Sequence, residues 1–360
     1  MNRIEWNRNS TILDSMFQAI GRTPLVRLKR ILDDYNIKSE ILCKIEFTNP
    51  TGSIKDRIYY QMITKAIQTG ALRHDMEIVE ASTGNAGISC AFVGRMLGYR
   101  VTIIMPEGMS EERKKLMRSL GAEIITTPGA ESDIDLCIEK LRMIIERNPG
   151  RFWHPDQFTN PDNVSAHFNS TGPEIWEQTQ GHVDCFLASQ GTGGTLTGTG
   201  RYLKERNPSI LLYAVEPSEA PMLSRREWGT HDIEGIGDGF VPSNLDLSQL
   251  TGVVTTSSHE AIDMSKKLAE EGILCGISSG CNVAAAVKVA KTHPELRRIV
   301  TIVNDSSQRY FSTALFDTRK IAEIPDRQHP VDEYTTRLLE SYGKKWEIIT
   351  LDLSVMSGQD

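Results

Sequence analysis

Short apolar runs, each leading into a glycine- or serine-rich loop and then a helical pattern, recur along this 360-residue chain from about residue 40. Units of this kind bury their strands on both faces, so they predict mostly parallel sheets covered by helices. The first series runs from EIVEA (77–81) through the loop STGNAG (82–87) into a helix expected over 88–97, with Gly98 as its terminator. RVTIIM (100–105) reads as a strand closed by Pro106, Ser110 as the cap of EERKKLMRSL, and EIITT (123–127) as a third strand. The second series opens with the strand VDCFLA (183–188), the turn GTGGT (191–195) and a helix starting in LTGTGRYLKE. LLYAVEP (211–217) and RRIVTIV read as further strands. SHEAIDMSKKLAEEG (258–272), capped by Ser257 or Ser258, and CNVAAAVKVAK (281–291) read as helices. Two such series predict an α/β protein of two lobes with a cleft between them.

Composition narrows the class. Hydrophobic residues make up 39% of the chain and 28 glycines add to them, enough for a full core and against disorder. With 40 basic and 47 acidic residues the net charge is −7, a poor match for a phosphate backbone, so nucleic acid is not expected as a partner. No apolar run approaches the ~18 residues of a membrane-spanning helix. The N-terminal MNRIEWNRNST lacks the apolar core of a secretory signal, and Glu5 argues against an organelle address. Cys43, Cys90, Cys137, Cys185, Cys275 and Cys281 form no CxxC pair and no zinc-spaced cluster. A reduced, cytoplasmic protein without a structural metal is the expectation.

Four stretches carry chemistry. In NPTGSIKDR (49–57), Pro50 and Gly52 make a turn, Ser53 can cap the following helix, and Lys55 falls in its first turn. The positive end of the helix dipole disfavours charge on that amine, and a neutral amine can condense with an aldehyde; a solvated surface lysine is the bland alternative. GTGGT presents Gly191, Thr192, Gly193, Gly194 and Thr195 at a helix start, a cradle suited to one phosphate monoester. Leu196 stands where a dinucleotide fingerprint needs its third glycine, and no GK[ST] follows. STGNAG could bind an anion, orient a planar ring through Asn85, or be an ordinary turn. In GISSG (276–280), Ser278 and Ser279 are either helix caps or a hydroxyl facing a ring nitrogen.

A reactive lysine, a phosphate cradle, an amide and a serine are together what pyridoxal 5'-phosphate needs. The chain resembles the cysteine synthase and cystathionine β-synthase family of tryptophan synthase β-like, fold type II enzymes. The likeness runs collinearly from IGRTPLVRL (20–28) through NPTGSIKDR, STGNAG, RVTIIMPEGMSEERKKLMRSLGAEI, HPDQFTNPDN, STGPEIW, GTGGTLTG and EGIGDGFVP to GISSG and SQRYFSTALF. It implies a larger cofactor-binding lobe (11–45 and 155–325), a smaller mobile lobe that closes on substrate (46–154), and a C-terminal helix or tail (326–360). It implies that Lys55 holds the cofactor as an internal aldimine, that Asn85 bonds its 3′ oxygen, that Gly191–Thr195 hold its phosphate, and that Ser278 faces the pyridine nitrogen. Ser82, Thr83, Gly84 and Asn85, with Gln157, would hold the substrate carboxylate. The implied reaction is β-replacement on an O-acetylserine-like donor: Lys55 takes the α-proton, an aminoacrylate forms, and sulfide adds to give L-cysteine. A homodimer is implied, as is a possible serine acetyltransferase C-terminus entering the same cleft.

The chain departs from the family at three places. TSGNTG becomes STGNAG, so Ala86 lacks a hydroxyl; the serine-glycine-glutamate before RYLST becomes Ser306, Ser307 and Gln308; and GIGAGF becomes GIGDGF. Asp238 is either a loop carboxylate or a general base that orients water. The second role implies a lyase taking L-cysteine to sulfide plus serine or pyruvate. EGIG (234–237) and GILCG (272–276) also suggest a cystathionine β-synthase-like enzyme, and a fold-only sensor or binding protein is the non-enzymatic alternative. A phosphoserine donor would need a cation at the cleft mouth, for which Arg225 and Arg226 are the nearest candidates.

Overall fold

β-Branched and other apolar runs form eleven strands among the described residues: β1 (Leu25–Arg27), β2 (Glu40–Ile45), β3 (Glu77–Ala81), β4 (Val101–Pro106), β5 (Glu123–Thr127), β6 (Phe152–Trp153), β7 (Cys185–Ser189), β8 (Leu211–Pro217), β9 (Gly252–Thr256), β10 (Arg298–Val303) and β11 (Glu347–Ile349). The structure, a computed structural model, describes residues 12–129, 133–316 and 330–353; the N-terminal MNRIEWNRNST lies outside them. Seven strands make one sheet in the order β1-β2-β10-β7-β8-β9-β11, and four make a second in the order β5-β4-β3-β6. β1 pairs antiparallel with β2; the other pairings are parallel. Parallel strands must be covered on both faces, and β3 and β4 accordingly have no exposed residue.

The expected strands EIVEA, EIITT and LLYAVEP match β3, β5 and β8, and RVTIIM, VDCFLA and RRIVTIV each match within two residues. Two expectations are corrected. Helix Asn85–Met96 begins three residues before the apolar periodicity does, because the loop's small residues can already turn. Ser110 stands at the N-cap of Glu111–Ser119, yet its hydroxyl does not cap: it donates across the molecule to the Arg309 carbonyl at 3.1 Å. Ser257 caps Ser258–Glu270 as expected, completing a reciprocal capping box with Glu260. The C-terminal stretch supplies helix Glu333–Tyr342 and also β11, which joins the large sheet beside β9. Helix Ile277–Thr292 packs as a core element, buried continuously from Ile277 to Ala290. All six cysteines are buried and unbridged, and burial pushes the thiols of Cys43, Cys90, Cys185, Cys275 and Cys281 upward.

One buried charge network sets the helix that carries Lys55. That helix, Lys55–Thr69, projects Arg57 into the interior, where it forks onto two carboxylates. Its Nε and Nη2 donate to Glu46 at 2.8 and 2.9 Å, and its Nη1 and Nη2 donate to Glu174 at 2.7 and 2.8 Å. Lys44 of β2 adds a second cation, 2.7 Å from Glu174. Burial alone would raise the Glu174 pKa; the hydrogen bonds and charge of Arg57, with Lys44, overcome it and bring it to about 2. Removing one partner from such a network leaves an uncompensated buried charge. Arg57→Ala is therefore expected to lower unfolding stability by about 3–5 kcal/mol in urea titrations. A midpoint equal to wild type would contradict this role.

Candidate active site

The residues singled out from the sequence converge on one cleft. Lys55, Ser82, Thr83, Gly84, Asn85, Gln157, Gly191, Thr192, Gly193, Thr195, Asp238 and Ser278 all line it, and Gly194 lies directly beneath as the first residue of helix Gly194–Arg206. Four helices begin here, at Lys55, Asn85, Gly194 and Ile277. Each points the positive end of its dipole at the cleft, which suits the cleft to anions.

The motif around Lys55 works because successive helical residues point about 100° apart. Lys55 faces the cleft. Asp56 turns back to accept from the Thr51 N–H at 2.7 Å, the Thr51 hydroxyl at 2.6 Å and Ser89 at 2.6 Å, which fixes the NPTG turn. Arg57 enters the network described above. Ser53 Oγ accepts from the Lys55 N–H at 3.3 Å. Burial lowers the pKa of the Lys55 amine, and the carboxylates of Asp238 and Asp305 oppose that shift.

The loop over 82–85 is held by Ser82, whose Oγ accepts from the N–H groups of Gly84 and Gly87 at 3.1 and 2.8 Å. Gln157 is buried against it, its Nε2 donating to the Ala81 carbonyl at 3.3 Å. Ala86 packs into the apolar core of the smaller sheet's layer. Opposite lies the glycine turn. Gly193 adopts φ +77°, and a Cβ there would sit 2.7 Å from the backbone nitrogen of Leu245. A Cβ on Gly191 would lie 2.7 Å from the Gly235 carbonyl oxygen, so this cradle admits no side chain at either position. Thr192 accepts from Asn163 at 3.0 Å, and Thr195 lies 3.2 Å from His167. Burial, then the charges of Arg57 and Lys55, hold the His167 pKa well below the usual imidazole value, so this residue is neutral. At the far end Ser278 Oγ accepts from Asn304 Nδ2 at 3.2 Å, which leaves the Ser278 proton to donate into the cleft.

The family model for pyridoxal-phosphate dependent enzymes matches residues 16–305. The chain belongs to this family. It is 44% identical over 317 residues to cysteine synthase A of Escherichia coli, covering 85% of this chain and 96% of that one. Its structure is similar to that of cysteine synthase from Entamoeba histolytica, with a TM-score of 0.83 and 35% identity, covering 96% of this chain and 100% of the other. It is also similar to a hydrogen sulfide-producing enzyme of Fusobacterium nucleatum, with a TM-score of 0.79 and 37% identity over 83% and 100% of the two chains. The family's pyridoxal phosphate fits the donor set: a side-chain-free cradle at a helix N-terminus for a phosphate, a depressed amine for an aldehyde, and a hydroxyl proton for a ring nitrogen.

Four residues in or directly behind the cleft escaped the sequence analysis. Arg113 belongs to the charged stretch EERKKL, which reads as a solvated face, yet it is buried, ion-paired with Glu234 across the cleft and stacked 4.7 Å from the Tyr310 ring centroid. Asn304, Asp305 and Arg309 follow β10 and contact the cofactor-loop residues from behind. Arg225 and Arg226, considered for a phosphoserine donor, do not line the cleft; Arg226 is 3.9 Å from Glu340. In the family to which this chain belongs, the cradle geometry gives a direct test. Gly193→Ala combines a strained φ with a backbone collision, and should lower stability by about 1–3 kcal/mol and weaken pyridoxal phosphate binding to the apoprotein in fluorescence titration.

Proposed function

We propose that the protein is a cysteine synthase: it replaces the acetate of O-acetyl-L-serine by sulfide to give L-cysteine. The observation that carries this reading is the desolvated amine of Lys55 at the meeting point of four helix N-termini, with the glycine cradle beyond it and the Ser278 hydroxyl at the far end. Pyridoxal phosphate, when bound, supplies a ring that withdraws electron density from the α-carbon of an attached amino acid. Lys55 would hold the cofactor through its Nζ and, as a free amine, would take the Cα proton and later return it. Burial favours this, because only the neutral amine accepts a proton. Gly191–Thr195 take the phosphate, Asn85 the ring oxygen, and Ser278 donates to the ring nitrogen, which keeps that nitrogen unprotonated.

The substrate carboxylate is met by Ser82, Thr83, Gly84 and Asn85 with Gln157, whose N–H and hydroxyl groups lie at a helix start. We assign residues 46–154 to the lobe that closes on substrate, over a larger lobe of 11–45 and 155–325. A homodimer is supported by large apolar side chains left exposed, Met16, Tyr60, Ile67 and Met96 among them, with Phe17 in tilted and edge-on ring contact with Tyr60 and Phe92. A carboxylate-ended acetyltransferase tail is a second ligand for the same loop. Lys55→Ala should abolish the visible absorbance of lysine-bound cofactor and reduce turnover by at least the ~10²–10⁴-fold that one general base contributes. An unchanged spectrum overturns the assignment.

Asp238 favours a second reading. It lines the cleft, and its charge acts on Lys55. A carboxylate there repels hydrosulfide and can orient water, which converts L-cysteine and water to serine and hydrogen sulfide on the same residues. Asp238→Ala should then depress sulfide release from L-cysteine by ~10²–10⁴-fold while cysteine formation from O-acetylserine changes little. Parallel small changes would leave synthesis as the activity.

A further inference from the structure

The loop after β10 reaches three of the four elements assigned above to the cofactor, all but the glycine cradle. The Asn304 carbonyl accepts from the Ile54 N–H at 3.0 Å, next to Lys55, and the Asn304 amide donates to Ser278. Asp305 and Arg309 close on the two ends of the Asn85 carboxamide. Asn85 Nδ2 donates to Asp305 Oδ2 at 2.6 Å, and Arg309 Nη1 donates to Asn85 Oδ1. Arg309 is itself fixed: its Nη2 donates to the Thr51 carbonyl, its own carbonyl accepts from Ser110, and it is 2% exposed. Asp305 is fully buried and also accepts from Tyr310 Oη at 2.7 Å.

A carboxamide is nearly symmetric in shape, so packing alone does not decide whether its oxygen or its nitrogen faces a ligand. Chemistry decides it here. A guanidinium only donates, so it selects the Asn85 oxygen; a carboxylate only accepts, so it selects the nitrogen. One hydrogen of Nδ2 goes to Asp305, and the second remains for the cleft. We propose that Asp305 and Arg309 are positioning residues that lock the Asn85 amide as a donor toward the ring oxygen of pyridoxal phosphate. This rests on the role given to Asn85 above. It also explains why two charged side chains with no place of their own in the reaction are buried behind the cleft.

The test is a double-mutant cycle read in cofactor binding to the apoprotein and in the absorbance bands of the bound cofactor. Asp305→Asn is nearly isosteric, retains an acceptor for Tyr310, and lets the Asn85 amide turn over. It should weaken pyridoxal phosphate binding by about 10- to 100-fold, the worth of a hydrogen bond to a charged group. It should also shift the absorbance toward the shorter-wavelength form with a protonated ring oxygen. In the Asn85→Ala background the same substitution should have a much smaller effect on both readouts, leaving only the direct action of the Asp305 charge on Lys55. Arg309→Lys, which keeps the charge but loses the fork, should behave in the same way and serves if Asp305→Asn fails to fold. Equal effects in both backgrounds, or none in either, overturn the clamp alone. An Asn85→Ala protein that binds the cofactor as tightly as wild type overturns the role of Asn85 itself.

Discussion

Arg57 holds the reactive lysine in register with the rest of the protein. Lys55 lies two residues away on the same helix, and that helix packs with the layer of the smaller sheet, while Glu46 and Glu174 flank the larger one. A bidentate fork on each side leaves the guanidinium little freedom, so the first turn of the helix is fixed relative to both sheets. The cost is desolvation of two carboxylates and two cations, which hydrophobic residues of similar volume would avoid. What the network secures in return is direction: a helix seated by apolar contacts alone could rotate or slide by a fraction of a turn and carry Lys55 off the axis between the glycine cradle and Ser278.

Around that lysine the backbone supplies most of the electrostatics. Four helix starts aim N–H groups into the cleft, and their partial charges need no counter-ion and no flexible side chain. This explains the prevalence of glycine, serine and threonine at the site. A side chain on Gly191 or Gly193 would occupy the cradle's own wall, and Ser82 serves best by accepting from the loop's own amides, which shapes the loop for a carboxylate. The buried neutral His167 fits the same plan, since it orders Thr195 without adding a charge behind the cradle.

What could be read from the sequence was local. A glycine turn between a strand and a helix, a serine at a helix start, and a lysine after NPTGSI each announce their geometry within a few residues, and the structure gathers them into one cleft. Six of the parallel strands, β3, β4, β5, β7, β8 and β10, were legible for the same reason, as apolar runs with turn residues on either side. Arg113, Asp305 and Arg309 gave no such signal. In EERKKL and SSQRY nothing local marks the arginines as buried; the approach of layers distant in sequence buries them. Ser110 misled similarly: a serine before a helix normally caps it, but the Arg309 carbonyl 199 residues away offers a better partner. β11 was missed because three residues with one charge carry no alternation long enough to read.

Asp238 is where local and long-range reasoning meet. An amine that is to accept a proton must be neutral part of the time, and burial pushes Lys55 that way. Asp305 and Asp238 both push back, from different places. Asp305 is fully buried, engaged with Asn85 and Tyr310, and turned toward the structure behind the cleft. Asp238 stands on the cleft wall in the glycine-flanked stretch GIGDGF, with Gly237 and Gly239 both at positive φ. A carboxylate on so particular a backbone opposes the deprotonation of Lys55 and repels an incoming anion, so it disadvantages a pure synthase twice. In the lyase reading proposed above, the same carboxylate acquires a use, in orienting water.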